Sequence, residues 1–319
     1  MLRRDETRAT SGQARRHDAV MAMHEDQLEV DEPTVRRLVN EQFPQWKGRP
    51  VRRVRTAATV NAIFRIGDDL VARFPLRDQD PMQALAWLRA EAAAARELAA
   101  VSPVPAPEPV AIGVPGEGYP LPWTVQTWLP GHDATVDDPA GPISFAEDLA
   151  AFIASLRAID TRGRRFDGEG RGGHLPDHDD WMETCFRKSE GLLDVARLRA
   201  MWASLRTLPE VDADVMCHGD LIPPNVLVRD GRLVGVLDGG GYAAADPALD
   251  LVGAWHLLDD VQRQVLREGL GCSEVQWRRG MAWAFQQSIG LVWYYAESNP
   301  TMSRWGQRTL DRLVRVGAS

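Results

Sequence analysis

Residues 218–238 read HGDLIPPNVLVRDGRLVGVLD, and this stretch decides how the rest of the chain is interpreted. Asp230-Gly231 lies between two apolar, β-prone runs and predicts a two-residue type I′ hairpin turn. Counting outward from the turn gives three predicted cross-strand pairs: Arg229 with Arg232, Leu227 with Val234, and Asn225 with Val236. Because side chains alternate faces along a strand, Asn225 and Asp238 are predicted to be diagonal neighbours, roughly 7–8 Å apart.

Three polar side chains of this stretch point to phosphate chemistry. An amide oxygen from Asn225 and a carboxylate from Asp238 suit a hard cation such as Mg²⁺, which also takes phosphate oxygens as ligands. Asp220 precedes them in a loop where Pro223 and Pro224 prevent a regular helix. A carboxylate beside the metal, without being a ligand, can accept a proton from a substrate hydroxyl.

The order of these motifs resembles a known family. An HGDxxxxN loop, a hairpin ending on an aspartate, and DPALDL at residues 246–251 together make residues 217–258 similar to the aminoglycoside phosphotransferase family of small-molecule kinases. The resemblance implies an α+β, bilobal, protein-kinase-like fold that uses ATP, or GTP, with Mg²⁺. It implies that Asp220 is the catalytic base and that Asn225 and Asp238 hold the metal. His218 and Asp250 would support the catalytic loop, although Asp250 also fits an ordinary acid in the first turn of a helix.

Composition limits the class of protein. The chain has 319 residues, 44% of them hydrophobic, which is enough for a large core in one domain or two lobes. No apolar run reaches the length that spans a membrane, and the three cysteines have neither disulfide nor metal-ligand spacing. These features predict a cytoplasmic protein. The net charge of −8 argues against nucleic acid as a partner and is compatible with a polycationic substrate.

The pattern along the chain predicts three regions. Residues 1–25 are polar and without periodicity, which predicts a disordered extension. Residues 26–130 alternate between strand and helix patterns and predict a small nucleotide-binding lobe with an antiparallel sheet. Its predicted elements are helices Asp31–Phe43 and Met82–Ala100 and strands at Val51–Thr56, Ala62–Ile66, Leu70–Phe74, Val110 and Trp123–Leu129.

Residues 131–319 predict a larger, mainly helical lobe with the catalytic loop and the acceptor site. Its predicted helices are Ser144–Asp160, Leu192–Leu205, Pro247–Gly269, Ser273–Ser298 and Thr301–Val316, with a long loop over Thr161–Asp180.

On the nucleotide side, Arg73 ends a strand where protein kinases place a phosphate-binding lysine. Arginine binds phosphate in a bidentate manner but is bulkier than lysine. Glu91 falls on the apolar stripe of its helix, and a carboxylate there needs a partner. The sequence therefore predicts a kinase-type Arg73–Glu91 ion pair, with pairing to an arginine of its own helix as the alternative.

The rest of the nucleotide site is less well defined by the sequence. Residues 56–61 stand where a glycine-rich loop is expected but contain no glycine, so Thr59 and Asn61 are the candidates for phosphate contacts. A plain hairpin is the alternative. Gln126, Thr127 and Trp128 are predicted to read the base with their backbone. No Walker-type loop is present, which excludes a P-loop enzyme. After Asp238 the sequence continues with three glycines, which predicts either a flexible metal loop or close backbone packing.

The acceptor side has candidates but no motif. A polycationic acceptor would be bound by acids, and the candidates are Asp177, Asp179, Asp180, Glu183 and Glu297. The preferred prediction is phosphorylation of a hydroxyl on a small molecule, an aminoglycoside or a similar antibiotic. A metabolic or macrolide kinase on the same scaffold, and a nucleotide-binding pseudokinase, are the alternatives. Neither the substrate nor the oligomeric state can be read from the sequence.

Overall fold

The computed structural model describes residues 28–54, 60–135, 141–168, 171–210 and 213–317. The predicted N-terminal extension lies outside the described residues, and so does Thr59 with most of the predicted phosphate loop. All three cysteines, Cys185, Cys217 and Cys272, are described and have free thiols.

A five-stranded antiparallel sheet forms the N-terminal part. Its strands are β1 (Val51–Arg53), β2 (Asn61–Ile66), β3 (Leu70–Pro75), β4 (Pro109–Gly113) and β5 (Trp123–Thr127), in the order β1-β2-β3-β5-β4. Alternate residues of β2 are buried, as expected for a strand with one face on a core. The central position of β3 places Arg73 in the middle of the sheet.

Two helices accompany this sheet, and each begins at a capping carboxylate. Helix α1 covers Glu32–Gln42, and Asp31 caps it by accepting a hydrogen bond from the Thr34 N–H at 2.9 Å. Helix α2 covers Pro81–Val101, with Asp80 as its cap. The prolines that follow cannot continue α2, so the chain turns back into β4.

The C-terminal part is mainly helical. Its helices are α3 (Ile143–Arg157), α4 (Asp179–Lys188), α5 (Val195–Leu205), α6 (Val252–Leu257), α7 (Asp260–Leu270), α8 (Glu274–Tyr294) and α9 (Pro300–Val316). Its strands are β6 (His132–Asp133), β7 (Val215–Cys217), β8 (Val226–Arg229), β9 (Arg232–Val236) and β10 (Ala243–Ala245). They form a three-stranded sheet, β6-β8-β9, and a pair, β7-β10. The predicted α+β class is confirmed.

Two of the predicted elements are wrong in detail. The predicted helix Pro247–Gly269 is two helices, because Leu258 is extended and Asp259 starts α7 with a capping box to Gln262. The predicted loop Thr161–Asp180 ends in a 3₁₀ turn over Leu175–His178, and α4 begins directly after it.

The buried side chains form two clusters joined by α2. The first lies between the five-stranded sheet and α1, and its Phe74 and Trp123 rings stack with centroids 4.7 Å apart. The second fills the helical part. Helix α2 contributes Ala84 to the first cluster and Leu98 to the second. The cleft between the two parts is therefore bounded by α2 on one side.

No helix within the described ranges is both long enough and apolar enough to cross a bilayer.

Candidate active site

The catalytic loop is held from within by one amide. Asp220 lies between β7 and a 3₁₀ turn over Pro223–Asn225. The side-chain Nδ2 of Asn225 donates to both the backbone oxygen and the Oδ2 of Asp220, each at 3.0 Å. The carboxylate that sequence reasoning assigns as the base is therefore fixed by one of the two residues assigned to the metal.

His218 connects this loop to the chain just before Asp238. Its ring is fully buried, and its Nδ1 accepts a hydrogen bond from the Asp220 N–H at 3.3 Å. Because Nδ1 faces a donor, the proton is on Nε2, which donates to the backbone oxygen of Leu237 at 2.9 Å. The histidine thus connects the backbone of residue 220 to that of residue 237, and both of its ring nitrogens are used in this structural role.

Asp250 supports the loop from the other side. Its two carboxylate oxygens accept hydrogen bonds from the backbone N–H groups of His218 and Gly219, both at 2.8 Å. The side chain is only 1% exposed. Burial raises the pKa of the Asp250 carboxyl, while the two backbone donors oppose that change.

The hairpin after the loop has the predicted turn but not the predicted register. Asp230 and Gly231 both have positive φ, 53° and 68°, as a type I′ turn requires. Past the Val228–Leu233 pair, β9 contains a bulge at Val234. The bulge slips the pairing by one residue, so the predicted pairs of Leu227 with Val234 and Asn225 with Val236 are wrong.

The slip places the two predicted metal ligands next to one another along the ribbon. Leu227 pairs with Gly235, and the backbone oxygen of Asn225 accepts from the N–H of Leu237 at 2.8 Å. Leu237 is therefore the partner of Asn225, and Asp238 is the next residue along the chain. Its backbone is left-handed, with φ 58° and ψ 47°, a conformation that non-glycine residues rarely adopt and that is concentrated at functional sites.

Arg73 reaches this carboxylate from β3. Its NH2 donates to Asp238 Oδ1 at 2.8 Å, and the guanidinium lowers the pKa of the Asp238 carboxyl. Among the described residues, Glu91 makes no hydrogen bond or ion pair with Arg73, so the predicted Arg73–Glu91 ion pair is not formed. The reason is that the left-handed turn brings Asp238 into the position nearest the guanidinium. Burial raises the pKa of the Glu91 carboxyl, although Arg73 is near enough to lower it in part.

The donor set fits a magnesium ion shared with a phosphate. The Nδ2 of Asn225 is directed at Asp220, which leaves its amide oxygen for a cation, and Arg73 takes only one oxygen of Asp238. Mg²⁺ commonly binds through one or two protein oxygens with phosphate and water completing six ligands. Within the described ranges no group of three or more His, Cys, Asp or Glu side chains forms a metal site of its own.

The remaining nucleotide candidates are partly brought together. Gln126 lines a small cavity of about 30 Å³ together with Arg73, Glu91 and Asp238. Asn61 begins β2 opposite Pro75. The N–H groups of Thr127 and Trp128 already donate to Glu108 and Asp69 within the protein. These two N–H groups are therefore not available to a base, and contact of the base with the backbone of these residues stays a prediction.

The three glycines after Asp238 pack closely against α2. A Cβ on Gly239 would lie 2.6 Å from Cδ2 of Leu98, and a Cβ on Gly240 would lie 3.0 Å from Cβ of Glu91. Of the two predicted explanations, close backbone packing accounts for both positions. The turn fixes α2, and with it Glu91, against the end of the hairpin.

We expect Gly239→Ala to destabilise the protein by about 1–3 kcal/mol, the cost of forcing an extra methyl into a packed site. Gly241→Ala is the matched control, since its Cβ would meet nothing closer than the His218 backbone oxygen at 3.6 Å. Urea denaturation of both variants measures the difference. Equal stability of the two would contradict the packing role of Gly239.

The acidic acceptor candidates are largely paired with arginines. Asp179 accepts from Trp202 at 2.9 Å and forms an ion pair with Arg206, and Glu183 forms one with Arg199. These contacts join α4 to α5, so both acids have a structural use. Three acids remain outside such arginine pairs: Asp177, which is 3.6 Å from His174, and the exposed Asp180 and Glu297.

Two features beside the catalytic loop were not predicted. Arg171, in the long loop before α4, forms an ion pair with Asp220. The end of α8 carries an aromatic cluster with α4, in which Trp181 faces Trp293 and Tyr294 packs edge-on to Tyr295. For Arg171 the sequence signal was the length of the loop, which is typical of functional loops, and for the cluster it was the aromatic run Trp293-Tyr294-Tyr295.

Comparison with known proteins identifies the family of the chain. The sequence model of the phosphotransferase enzyme family matches residues 51–283. An aminoglycoside 3'-phosphotransferase from Streptomyces fradiae is 44% identical over 75 residues, which are 20% of this chain and 28% of that protein. The chain therefore matches less than a third of the length of this curated relative.

Solved structures share the fold at low sequence identity. The GDP complex of wild-type aminoglycoside 2'-phosphotransferase-IIIa has a TM-score of 0.66 at 18% identity, over 90% of this chain and 100% of that one. The macrolide 2'-phosphotransferase MphH from Brachybacterium faecium has a TM-score of 0.57 at 19% identity, over 86% and 97%. These likenesses establish the bilobal, kinase-like fold. Since the family model covers most of the chain, this protein belongs to the phosphotransferase enzyme family.

Proposed function

We propose that the chain transfers the γ-phosphoryl group of ATP, or GTP, to a hydroxyl of a small molecule, in the cytoplasm. The observation that carries this proposal is the bonded set in which Asn225 ties the Asp220 carboxylate to the ribbon that ends on Asp238. These bonds connect the proposed base, Asp220, to the two proposed metal ligands, Asn225 and Asp238. Residues 26–130 would bind the nucleotide, and residues 131–319 would supply the catalytic loop and the acceptor site.

The proposed reaction is a direct transfer of the phosphoryl group between two oxygens. The acceptor oxygen forms a bond to the γ-phosphorus as the bond from that phosphorus to the bridging oxygen breaks, and the nucleoside diphosphate leaves. The hydroxyl proton passes to the Asp220 carboxylate. Asn225 and Asp238 would hold Mg²⁺, which when bound neutralises charge on the phosphates. Arg73 would exchange Asp238 for the phosphates of the nucleotide, which would free Oδ1 of Asp238 for the metal.

An aminoglycoside or similar antibiotic is the preferred acceptor class. The support comes from relatives: one related structure is described as a complex with GDP and kanamycin, and another as a complex with gentamicin. The exposed acids Asp180 and Glu297 and the net charge of −8 are compatible with a polycation. Such an enzyme would confer antibiotic resistance.

A macrolide is the second candidate. It is favoured by the aromatic cluster of Trp181, Trp293, Tyr294 and Tyr295, and by the ion pairs that neutralise Asp179 and Glu183. Aromatic rings bind large, weakly charged ligands through apolar contact. Two features favour the pseudokinase alternative: the absence of glycine from residues 56–61 and the three glycines after Asp238. The second no longer favours it, because those glycines have a packing role.

An acceptor screen tests the proposal. The full chain is incubated with Mg²⁺ and ATP or GTP, and diphosphate release is followed across aminoglycosides, macrolides and small metabolic alcohols. We expect release with members of one class and a mass increase of one phosphoryl group on the acceptor. Nucleotide binding without turnover across the whole panel would favour the pseudokinase, and failure to bind either nucleotide would refute the proposal.

A further inference from the structure

Arg171 forms an ion pair with Asp220, the carboxylate that the proposed reaction needs as its base. Its guanidinium forms an ion pair with Oδ1 of Asp220, while Oδ2 of the same carboxylate accepts from Asn225. Both oxygens of the base are therefore engaged. The Arg171 side chain is 46% exposed, against 20% for Asp220, so the arginine reaches the loop from the open side of the cleft.

The loop that carries Arg171 is anchored directly after it. Gly172 and Gly173 have positive φ, 132° and 79°, and both lie under the ring of Phe166. The Gly172 oxygen accepts from His178 Nε2 at 3.0 Å, and the Phe166 N–H donates to Asp214 at 2.8 Å. These contacts hold the backbone directly after Arg171, whose side chain is long enough to change partners.

Charge around the arginine indicates what the new partner would be. Arg171 also lies beside the proposed metal ligands, because the Asp220 carboxylate with which it pairs accepts a hydrogen bond from Asn225. It therefore lies within electrostatic reach of both the base and the metal residue. In the proposed reaction the transferring phosphoryl group would lie close to both side chains, and it has more oxygens to offer a guanidinium than one carboxylate has.

We propose that Arg171 is a catalytic residue that moves from Asp220 to the γ-phosphate of the bound nucleotide. The move frees Oδ1 of Asp220 to accept the proton of the acceptor hydroxyl. It also supplies a cation to the oxygens of the phosphoryl group as the acceptor oxygen bonds to phosphorus and the bond to the diphosphate breaks. Side-chain cations matter more in this chain, since the segment over residues 56–61 has no glycine to bring backbone amides close.

The inference rests on the proposed function and is tested first by binding. Calorimetry without acceptor compares a non-hydrolysable ATP analogue with ADP, both with Mg²⁺, for the wild type, Arg171→Ala and Arg171→Lys. We expect Arg171→Ala to lose about ten- to hundredfold in affinity for the triphosphate, the equivalent of one or two charge-assisted hydrogen bonds, with ADP affinity unchanged. Arg171→Lys should retain part of the preference. Arg165→Ala is the control, because Arg165 is an exposed arginine of the same loop without a polar partner in the described part of the chain.

A second pair of variants tests the anchoring. A Cβ on Gly173 would lie 2.7 Å from Cε1 of Phe166, so Gly173→Ala should displace the loop and weaken triphosphate binding selectively. Gly163→Ala is matched to it, since Gly163 has a similar φ of 76° and no heavy atom within 4 Å of the added Cβ. An equal loss of triphosphate affinity in both variants would count against the anchor.

The outcomes separate the two levels of the argument. A wild-type protein that binds no triphosphate would overturn the proposed function itself. A wild-type protein that binds and transfers, together with an Arg171→Ala variant that keeps the full preference for triphosphate over diphosphate, would overturn only the role of Arg171. Restoration of transfer by added guanidinium in Arg171→Ala, but not in a variant of Asp220, would support it.

Discussion

Asp220→Ala is expected to lower kcat for phosphoryl transfer by about 10²–10⁴-fold, the usual contribution of a positioned general base. The physical reason is that the substitution removes the proposed proton acceptor. Within the described part of this loop, no other carboxylate is held by Asn225 in a position to replace it. Nucleotide affinity should be retained, because Asn225 also donates to the backbone oxygen of residue 220, and that bond survives the substitution. Steady-state kinetics with an acceptor found in the screen gives kcat, and calorimetry with ADP gives the binding.

The control for this variant is Asp311→Ala, which removes an exposed carboxylate of α9 away from the cleft. It should leave kcat and ADP affinity unchanged. An Asp220→Ala protein that is folded, binds ADP and transfers phosphoryl at the rate of Asp311→Ala would rule out Asp220 as the base. A loss of ADP binding along with activity would instead indicate that the loop had collapsed, and Asp220→Asn, which keeps the shape, would then decide the matter.

The sequence predicted the catalytic loop because its signals are local. The Asp-Gly turn, the prolines before Asn225 and the aspartate at the end of the ribbon all act within a few residues of one another. The register failed for a physical reason: a bulge at Val234 leaves the apolar pattern of β9 intact while slipping the pairing by one residue. Alternation of side chains alone cannot reveal such a slip.

Contacts distant in sequence were harder to predict. The Arg73–Glu91 pair was argued from helix periodicity, but the choice between two carboxylates depends on the left-handed backbone of Asp238, which no propensity indicates. The pairing of Asp179 with Arg206 and of Glu183 with Arg199 depends on how α4 lies against α5. Arg171 was hidden for the same reason, since its partner Asp220 belongs to a different part of the chain.

Asp250 is the position where stability and catalysis are expected to fail together. Its carboxylate is the acceptor for two buried backbone donors at 2.8 Å, from His218 and Gly219. Asp250→Ala leaves both N–H groups without a partner, at about 1–3 kcal/mol each. The buried carboxylate also carries a desolvation penalty, which the alanine variant no longer has. We therefore expect a net loss of about 2–4 kcal/mol in the free energy of unfolding.

The catalytic consequence follows from the connection of the same backbone to His218. When residues 218 and 219 lose their anchor, the ring that bonds both the Asp220 N–H and the Leu237 oxygen is no longer fixed. The base and the metal residue then lose their common support, so kcat should fall more than KM rises.

Urea denaturation and steady-state kinetics of Asp250→Ala and Asp250→Asn test this argument, with Asp311→Ala as the control. The asparagine variant keeps one acceptor and presents an NH₂ group to the other N–H, so its stability should also fall. It provides a folded protein for kinetics if the alanine variant unfolds. If Asp250 is only an ordinary acid in the first turn of a helix, both variants should stay within about 0.5–1 kcal/mol of the wild type and keep their kcat. That result would contradict the proposed role of Asp250 in holding the catalytic loop against the helical core.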